Sequence, residues 1–201
     1  ALSWLLPASP ALAPLAVAQL HGAEEFAFCP AAAGFDLTPA TLGEVVGHGW
    51  GERITSPGEA QRYISHLAAA SPKVTVHEYA RSWEGRPLVY VIITSEANHA
   101  RIDEIRANNV ALMDPRTTDA DAAEAIIAAN PVITWLAYGV HGNEISSTDA
   151  ALLTMYHLAA ATTDALTDVV LANSIVVIDP MQNPDGRNRF VNHYRQSKGR
   201  W

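Results

Sequence analysis

Val132-Ile133-Thr134-Trp135-Leu136-Ala137-Tyr138-Gly139-Val140-His141-Gly142-Asn143-Glu144 is the stretch on which the reading of this chain turns. Its first seven residues are apolar or β-branched and carry no charge, the pattern of a strand buried in a sheet. From Glu144 to about Ala161 apolar residues recur at helical spacing, so strand passes to helix across a short junction containing glycine. In open α/β sheets reactive groups collect at such junctions, just beyond the carboxyl end of a strand. His141 and Glu144 place an imidazole nitrogen and a carboxylate there, able to turn toward one point and hold a divalent metal. Gly139 and Gly142 permit the tight backbone path. The competing reading is a polar turn at a helix start with an ordinary hydrogen-bonded histidine.

Spacing alone does not choose between them. With 8 His and 11 Glu in 201 residues, about 0.4 His-x-x-Glu spacings are expected by chance. The chain has a second instance, His21-Gly22-Ala23-Glu24, but no strand precedes it and it reads as a solvated terminal segment. Only His141 and Glu144 sit between a strand and an amphipathic helix.

Outward from that junction, Ser174-Ile175-Val176-Val177-Ile178-Asp179 reads as another strand, ended by Pro180. Asn183-Pro184-Asp185-Gly186 follows. It has the composition of an ordinary turn, and alternatively it shapes a loop beside the metal and leads a basic stretch toward an anionic ligand. Upstream, Leu88–Thr94 is a nearly continuous β-branched run suited to a strand covered on both faces, and Val74–Tyr79 alternates like a half-buried one. Ser56-Pro57-Gly58-Glu59 is a capping box that opens a helix with Tyr63, Ile64, Leu67 and Ala68 inward. Further helices are expected over Asn98–Met113 and Asp119–Asn130, and a short one near Pro39–Val45. Strands alternating with helices predict an α/β fold: a mixed, largely parallel sheet with helices on both faces.

Composition narrows the function classes. The chain is 49% apolar and 17% charged, which is globular. Its net charge of −8 argues against a protein that grips nucleic-acid phosphates. Residues 187–201 nevertheless hold Arg187, Arg189, Arg195, Lys198 and Arg200 with no acid. Arg187 and Arg189 are the candidates for binding an anionic substrate, against the alternative of a solvated basic face. The single cysteine, Cys29, excludes an internal disulfide framework and a Cys-rich zinc site, and it is assigned no role. Residues 1–18 form an Ala-rich apolar run ending in Ala16-Val17-Ala18, which reads as an export signal or else as a disordered Ala/Pro leader. Pro7, Pro10 and Pro14 break it short of the ~20 apolar residues of a membrane span. The expected organisation is a signal peptide at 1–18, an N-terminal arm at 19–57 and part of a catalytic domain at 58–201. The tail Gln196–Trp201 shows no pattern that closes a domain, so the sequence is treated as the N-terminal portion of something longer.

His141-Gly142-Asn143-Glu144 and Asn183-Pro184-Asp185-Gly186, each beyond a strand, together resemble the zinc carboxypeptidase family of metallopeptidases. Tyr79-Ala80-Arg81-Ser82-Trp83-Glu84-Gly85-Arg86-Pro87-Leu88 is similar to the family's approach to its second strand, with Ala80 where glycine is commoner. The resemblance covers about residues 50–195. It implies a carboxypeptidase-like fold, zinc as cofactor and a peptide substrate cut at its C-terminal bond; the leader at residues 1–18 is what points to a secreted or periplasmic location. His141 and Glu144 match the first two zinc ligands. The resemblance puts the third ligand and the general-base glutamate beyond Trp201, so no catalytic residue is assigned within the chain. Two other functions fit the same motif: a carboxypeptidase-like binding domain without catalysis, and a zinc amide hydrolase acting on acylated amino acids or cell-wall peptides. His157, thirteen positions after Glu144 on one helix, is ~20 Å away along the axis and reads as an ordinary helix-face residue. His193 matches no motif. His48, His66, His77 and His99 lack ligand-like spacing.

Overall fold

Tyr90 and Ile92 face one way along their strand and Val89, Val91 and Ile93 the other, and both sets are packed against helices. That alternation follows from the two-residue period of a strand, and it places this strand inside a sheet. The computed structural model describes residues 38–162 and 164–198. The expected leader, His21, Cys29, Arg200 and the first half of the N-terminal arm lie outside these residues.

In chain order the elements are α1 (Leu42–Val46), α2 (Pro57–Ala70), β1 (Val74–Arg81), β2 (Pro87–Ile93), α3 (Glu96–Ala100), α4 (Ile102–Leu112) and α5 (Ala120–Ala129). There follow β3 (Val132–Ala137), α6 (Ile145–Ala160), α7 (Ala165–Asn173), β4 (Ser174–Asp179) and α8 (Pro184–Ser197). The strands form one sheet in the order β1-β2-β4-β3. β2 runs antiparallel to both β1 and β4, and β3 runs parallel to β4. The sheet is therefore mixed, as expected, with its parallel pairing among the described residues confined to β3 and β4.

Helices cover both faces. Tyr63, Ile64 and Leu67 of α2 and Leu152 and Met155 of α6 bury against Val91, Ile93, Val176 and Ile178. Ile105 of α4 packs on the other face against Ile175 and Val177. The apolar side chains removed from water on these faces supply most of the favourable folding free energy.

Four expectations are corrected. Among the described residues β3 is not buried: it lies at the edge of the described sheet, and Val132, Ile133 and Trp135 are exposed. The helix expected over Asn98–Met113 is two helices that meet at Arg101, whose φ of −117° and ψ of 20° are not helical. α7 was not anticipated; Asp164 caps it by accepting from the Leu166 N–H, and only Thr167 and Leu171 are buried, too few for an apolar period to show. The Asn183 turn is the start of α8, with Asn183 as N-cap accepting from the Gly186 N–H and Pro184 in the first turn. Turns and helix starts use the same residues for the same reasons, which is why the sequence signal was ambiguous.

Glu59 carries an acid-sensitive part of the stability. It completes the capping box with Ser56 and accepts from Arg195 of α8. Partial burial pulls its pKa upward, but the bonds from Ser56 and Arg195 outweigh that and lower it from 4.5 to about 2. A carboxyl whose pKa is depressed on folding stabilises the protein above its unfolded value and loses that contribution as pH falls toward the folded value. The loss therefore falls between pH 4.5 and about 2 and is at most about 3 kcal/mol, reduced by solvent screening because Arg195 is exposed. Denaturant unfolding at pH 7 and pH 3 checks this: Glu59→Gln should cost stability at pH 7 and much less at pH 3, and an equal cost at both values excludes it.

Candidate metal centre

The loop between β3 and α6 is drawn from the sheet's end by continued ladder bonds. Tyr138 N–H donates to the Asp179 carbonyl (2.9 Å), Gln182 N–H to the Tyr138 carbonyl (3.1 Å) and Asn183 N–H to the Gly139 carbonyl (2.9 Å). Gly139 then reverses the chain at φ +66°, a conformation that L side chains rarely adopt, and its N–H donates to the Ser147 hydroxyl (2.8 Å). A Cβ on Gly142 would stand 2.0 Å from the Gly186 carbonyl carbon and 2.3 Å from the Arg187 nitrogen. Only a glycine lets these two backbones touch, so the loop ahead of α6 and the start of α8 are packed directly against one another.

The loop delivers the two candidate ligands. His141 Nδ1 and Glu144 Oε1 are 2.9 Å apart, and both side chains are exposed. Glu144 occupies the N-cap position of α6, yet its carboxylate makes no capping bond there and turns to His141 instead. The hydrogen bond from His141 holds the Glu144 carboxyl below its usual pKa, so it is ionised at neutral pH. An imidazole nitrogen and an ionised carboxylate oxygen converging at an open position suit two corners of a zinc site. Among the described residues no group of three or more His, Cys, Asp or Glu side chains could hold a metal.

The sequence reading turned Arg187 and Arg189 toward a substrate anion. Arg187 lies inside, 2% exposed. It donates to the carbonyls of Thr55 (2.8 Å), Glu144 (3.3 Å) and Ile145 (3.3 Å) and pairs with Asp149, which also accepts from the Thr55 hydroxyl. Arg189 is exposed and pairs with Glu84. His157 is buried, and its Nε2 lies 3.0 Å from Asp164 and 3.1 Å from Thr167, joining α6 to α7. His66 accepts from the Ala40 N–H, and His77 and His99 bond to Thr75 and the Lys73 carbonyl.

Asp185 explains why two distant motifs occur together. It accepts from the Ser82 hydroxyl (2.8 Å), the Glu84 N–H (3.0 Å) and Arg86. Burial opposes its ionisation, but the Glu84 N–H, Ser82 and Arg86 outweigh burial and lower its pKa. The turn joining β1 to β2 is thereby fastened to the first turn of α8. Sequence reasoning found both segments but not this contact, nor the Arg187–Asp149 pair. The one available signal was the acids themselves: Asp185 in a helix start and Asp149 in an otherwise uncharged run of α6.

A cavity of about 860 Å³ lies between α2, α8 and the start of β2, lined by Gln61, Arg62, His66, Arg86, Pro184 and Asn188 among others. His141 and Glu144 are not part of it; their side chains stand on an open ledge beyond β3.

A family model described as zinc carboxypeptidase matches residues 60–201. Among solved structures, the chain is similar to thrombin activatable fibrinolysis inhibitor (16% identity, 67% of this chain and 26% of that one, TM-score 0.45). It is also similar to the bovine form of that inhibitor in complex with tick carboxypeptidase inhibitor (16% identity, 74% of this chain and 36% of that one, TM-score 0.45). A third is the carboxypeptidase A from Helicoverpa armigera (24% identity, 73% of this chain and 27% of that one, TM-score 0.42). The chain thus spans from 26% to 36% of the length of these proteins. Comparison with curated proteins gave no match.

Proposed function

From the premise that this chain belongs to the zinc carboxypeptidase family, we propose that it is part of a zinc-dependent metallocarboxypeptidase that hydrolyses C-terminal peptide bonds. The observation that carries the reading is the 2.9 Å approach of His141 Nδ1 to Glu144 Oε1 on the ledge beyond β3. These atoms are the proposed protein ligands. Zinc, when bound, supplies Lewis acidity for amide hydrolysis. The third ligand and the general base are proposed to lie beyond Trp201 in the same protein.

The described residues contribute position and charge. The ladder bonds at Tyr138 and Gly139 fix where the loop leaves the sheet, and the contact at Gly142 sets its height over α8. The ionised Glu144 carboxylate brings the negative charge a dication needs. Arg189, exposed and one turn along α8 from Asp185, is the proposed contact for an anionic substrate group, and its pairing with Glu84 holds it without burying it.

The reading is tested on the full-length protein by zinc analysis and by incubation with matched peptides bearing a free or an amidated C-terminus. Zinc at one per chain with release of the last residue from the free acid alone is expected. Peptide binding without zinc or cleavage points instead to a binding domain, and cleavage of acylated amino acids or cell-wall peptides points to an amide hydrolase.

No helix of the described residues is long and apolar enough to cross a membrane. A secreted or periplasmic location is proposed from the leader ending in Ala16-Val17-Ala18. N-terminal sequencing of exported material should begin at or near Gln19; recovery of residues 1–18 in the mature protein removes the support.

A further inference from the structure

We infer that Arg187 is a positioning residue for the metal centre, fixing the Glu144 ligand by holding the backbone from which it projects. The inference rests on the zinc reading above. Arg187 is buried. Its donors reach two separate pieces of chain: Nε bonds to the Thr55 carbonyl ahead of α2, while Nη1 bonds to the carbonyls of Glu144 and Ile145 and Nη2 to Ile145 and Asp149, all at the start of α6. Two of these acceptors are the backbone of the proposed ligand itself and of the next residue.

The need for such a device follows from local geometry. Glu144 stands at the N-cap of α6, where a carboxylate would ordinarily bond to the N–H groups of the first turn and hold the chain's entry to the helix. Its carboxylate is used elsewhere, on His141. The loop ahead of it contains Gly139 and Gly142, residues of large conformational freedom. Something else must fix the backbone at Glu144. The buried fork of Arg187 does so, and the contact of Gly142 with the Arg187 backbone presses the loop onto the same residue. Partners that orient ligands from behind also govern metal affinity, their loss costing about 10- to 100-fold.

Arginine suits this task and lysine does not. Five donors in a rigid plane bond to several carbonyls at fixed angles, whereas an ammonium offers three donors on a flexible stem. Arg187→Lys keeps the charge opposite Asp149 but loses the fork. Asp149→Asn keeps an acceptor for Nη2 while removing the ion pair, so it weakens the fold without releasing the Glu144 and Ile145 carbonyls.

The test compares these variants in the full-length protein by zinc affinity, measured in competition with a chelator, and by the Tm of the metal-free form. Arg187→Lys is expected to lower zinc affinity about 10- to 100-fold. Asp149→Asn is expected to lower the metal-free Tm while its zinc affinity stays within about threefold of wild type. The paired change Arg187→Met with Asp149→Leu removes both buried charges together, so neither is left unpaired, and it should show the same affinity loss as Arg187→Lys. Wild-type affinity in either Arg187 variant overturns the inference, as does an affinity loss in Asp149→Asn equal to that of Arg187→Lys. A wild-type protein that binds no zinc overturns the zinc reading itself, and with it this inference.

Discussion

His141→Ala and Glu144→Ala, made singly in the full-length protein, are each expected to strip zinc and abolish peptidase activity while leaving the fold in place. The loss of affinity should exceed the 10- to 100-fold cost of removing a residue that merely supports a ligand. The reason the fold survives is visible in the structure. Both side chains are exposed and bond chiefly to each other, and neither belongs to the two apolar clusters that hold helices to the sheet. His21→Ala is the control, since His21-Gly22-Ala23-Glu24 has the same spacing. Metal analysis and activity on a free-acid peptide read the result. Zinc and activity retained in His141→Ala but lost in His21→Ala would show that the other motif binds the metal.

Gly142→Ala is expected to act through the fold, costing about 3 kcal/mol or more, at or beyond the upper end of ordinary overpacking. The added Cβ would meet the Gly186 carbonyl carbon at 2.0 Å, the Gly186 oxygen at 2.4 Å and the Arg187 nitrogen at 2.3 Å. These are backbone atoms of a helix start tied down by Asn183 and Asp185, so no side chain can swing aside to make room. Relief requires the β3–α6 loop and α8 to separate, which moves both His141 and Glu144. Zinc affinity should therefore fall with stability. Gly58→Ala is the comparison: nothing lies within 4 Å of its Cβ position in α2, and the change should be neutral or stabilising by roughly 0.5–1 kcal/mol. Denaturant unfolding of both variants measures the contrast. Equal stability of the two would mean that the close approach of the loop to α8 does not exist in solution.

What could be read ahead of the structure was local. The capping box at Ser56 and Glu59, the β-branched run of Leu88 to Thr94 and the strand-to-helix junction at His141 each depend on neighbours within a few positions, so their patterns lie open in the sequence. The start of α8 was missed because Asn-Pro-Asp-Gly satisfies a turn and a helix N-terminus equally well, and the two part only when later residues find something to pack on. β3 misled in the opposite direction. A run of apolar residues implies burial, but how much water is excluded depends on which strands flank it, and β3 lies at the edge of the described sheet.

The sequence by itself determined the α/β class and the proposed metal motif, placing a histidine and a glutamate three positions apart where a strand ends. Tertiary structure alone decided what those residues rest on. Arg187 reaches Thr55 and Glu144, and Asp185 reaches Ser82 and Arg86, across separations of 132, 43, 103 and 99 residues. No periodicity carries information over such distances. An arginine in a basic tail is attributed to solvent or substrate until folding brings to it the carbonyls and the carboxylate that make its burial favourable.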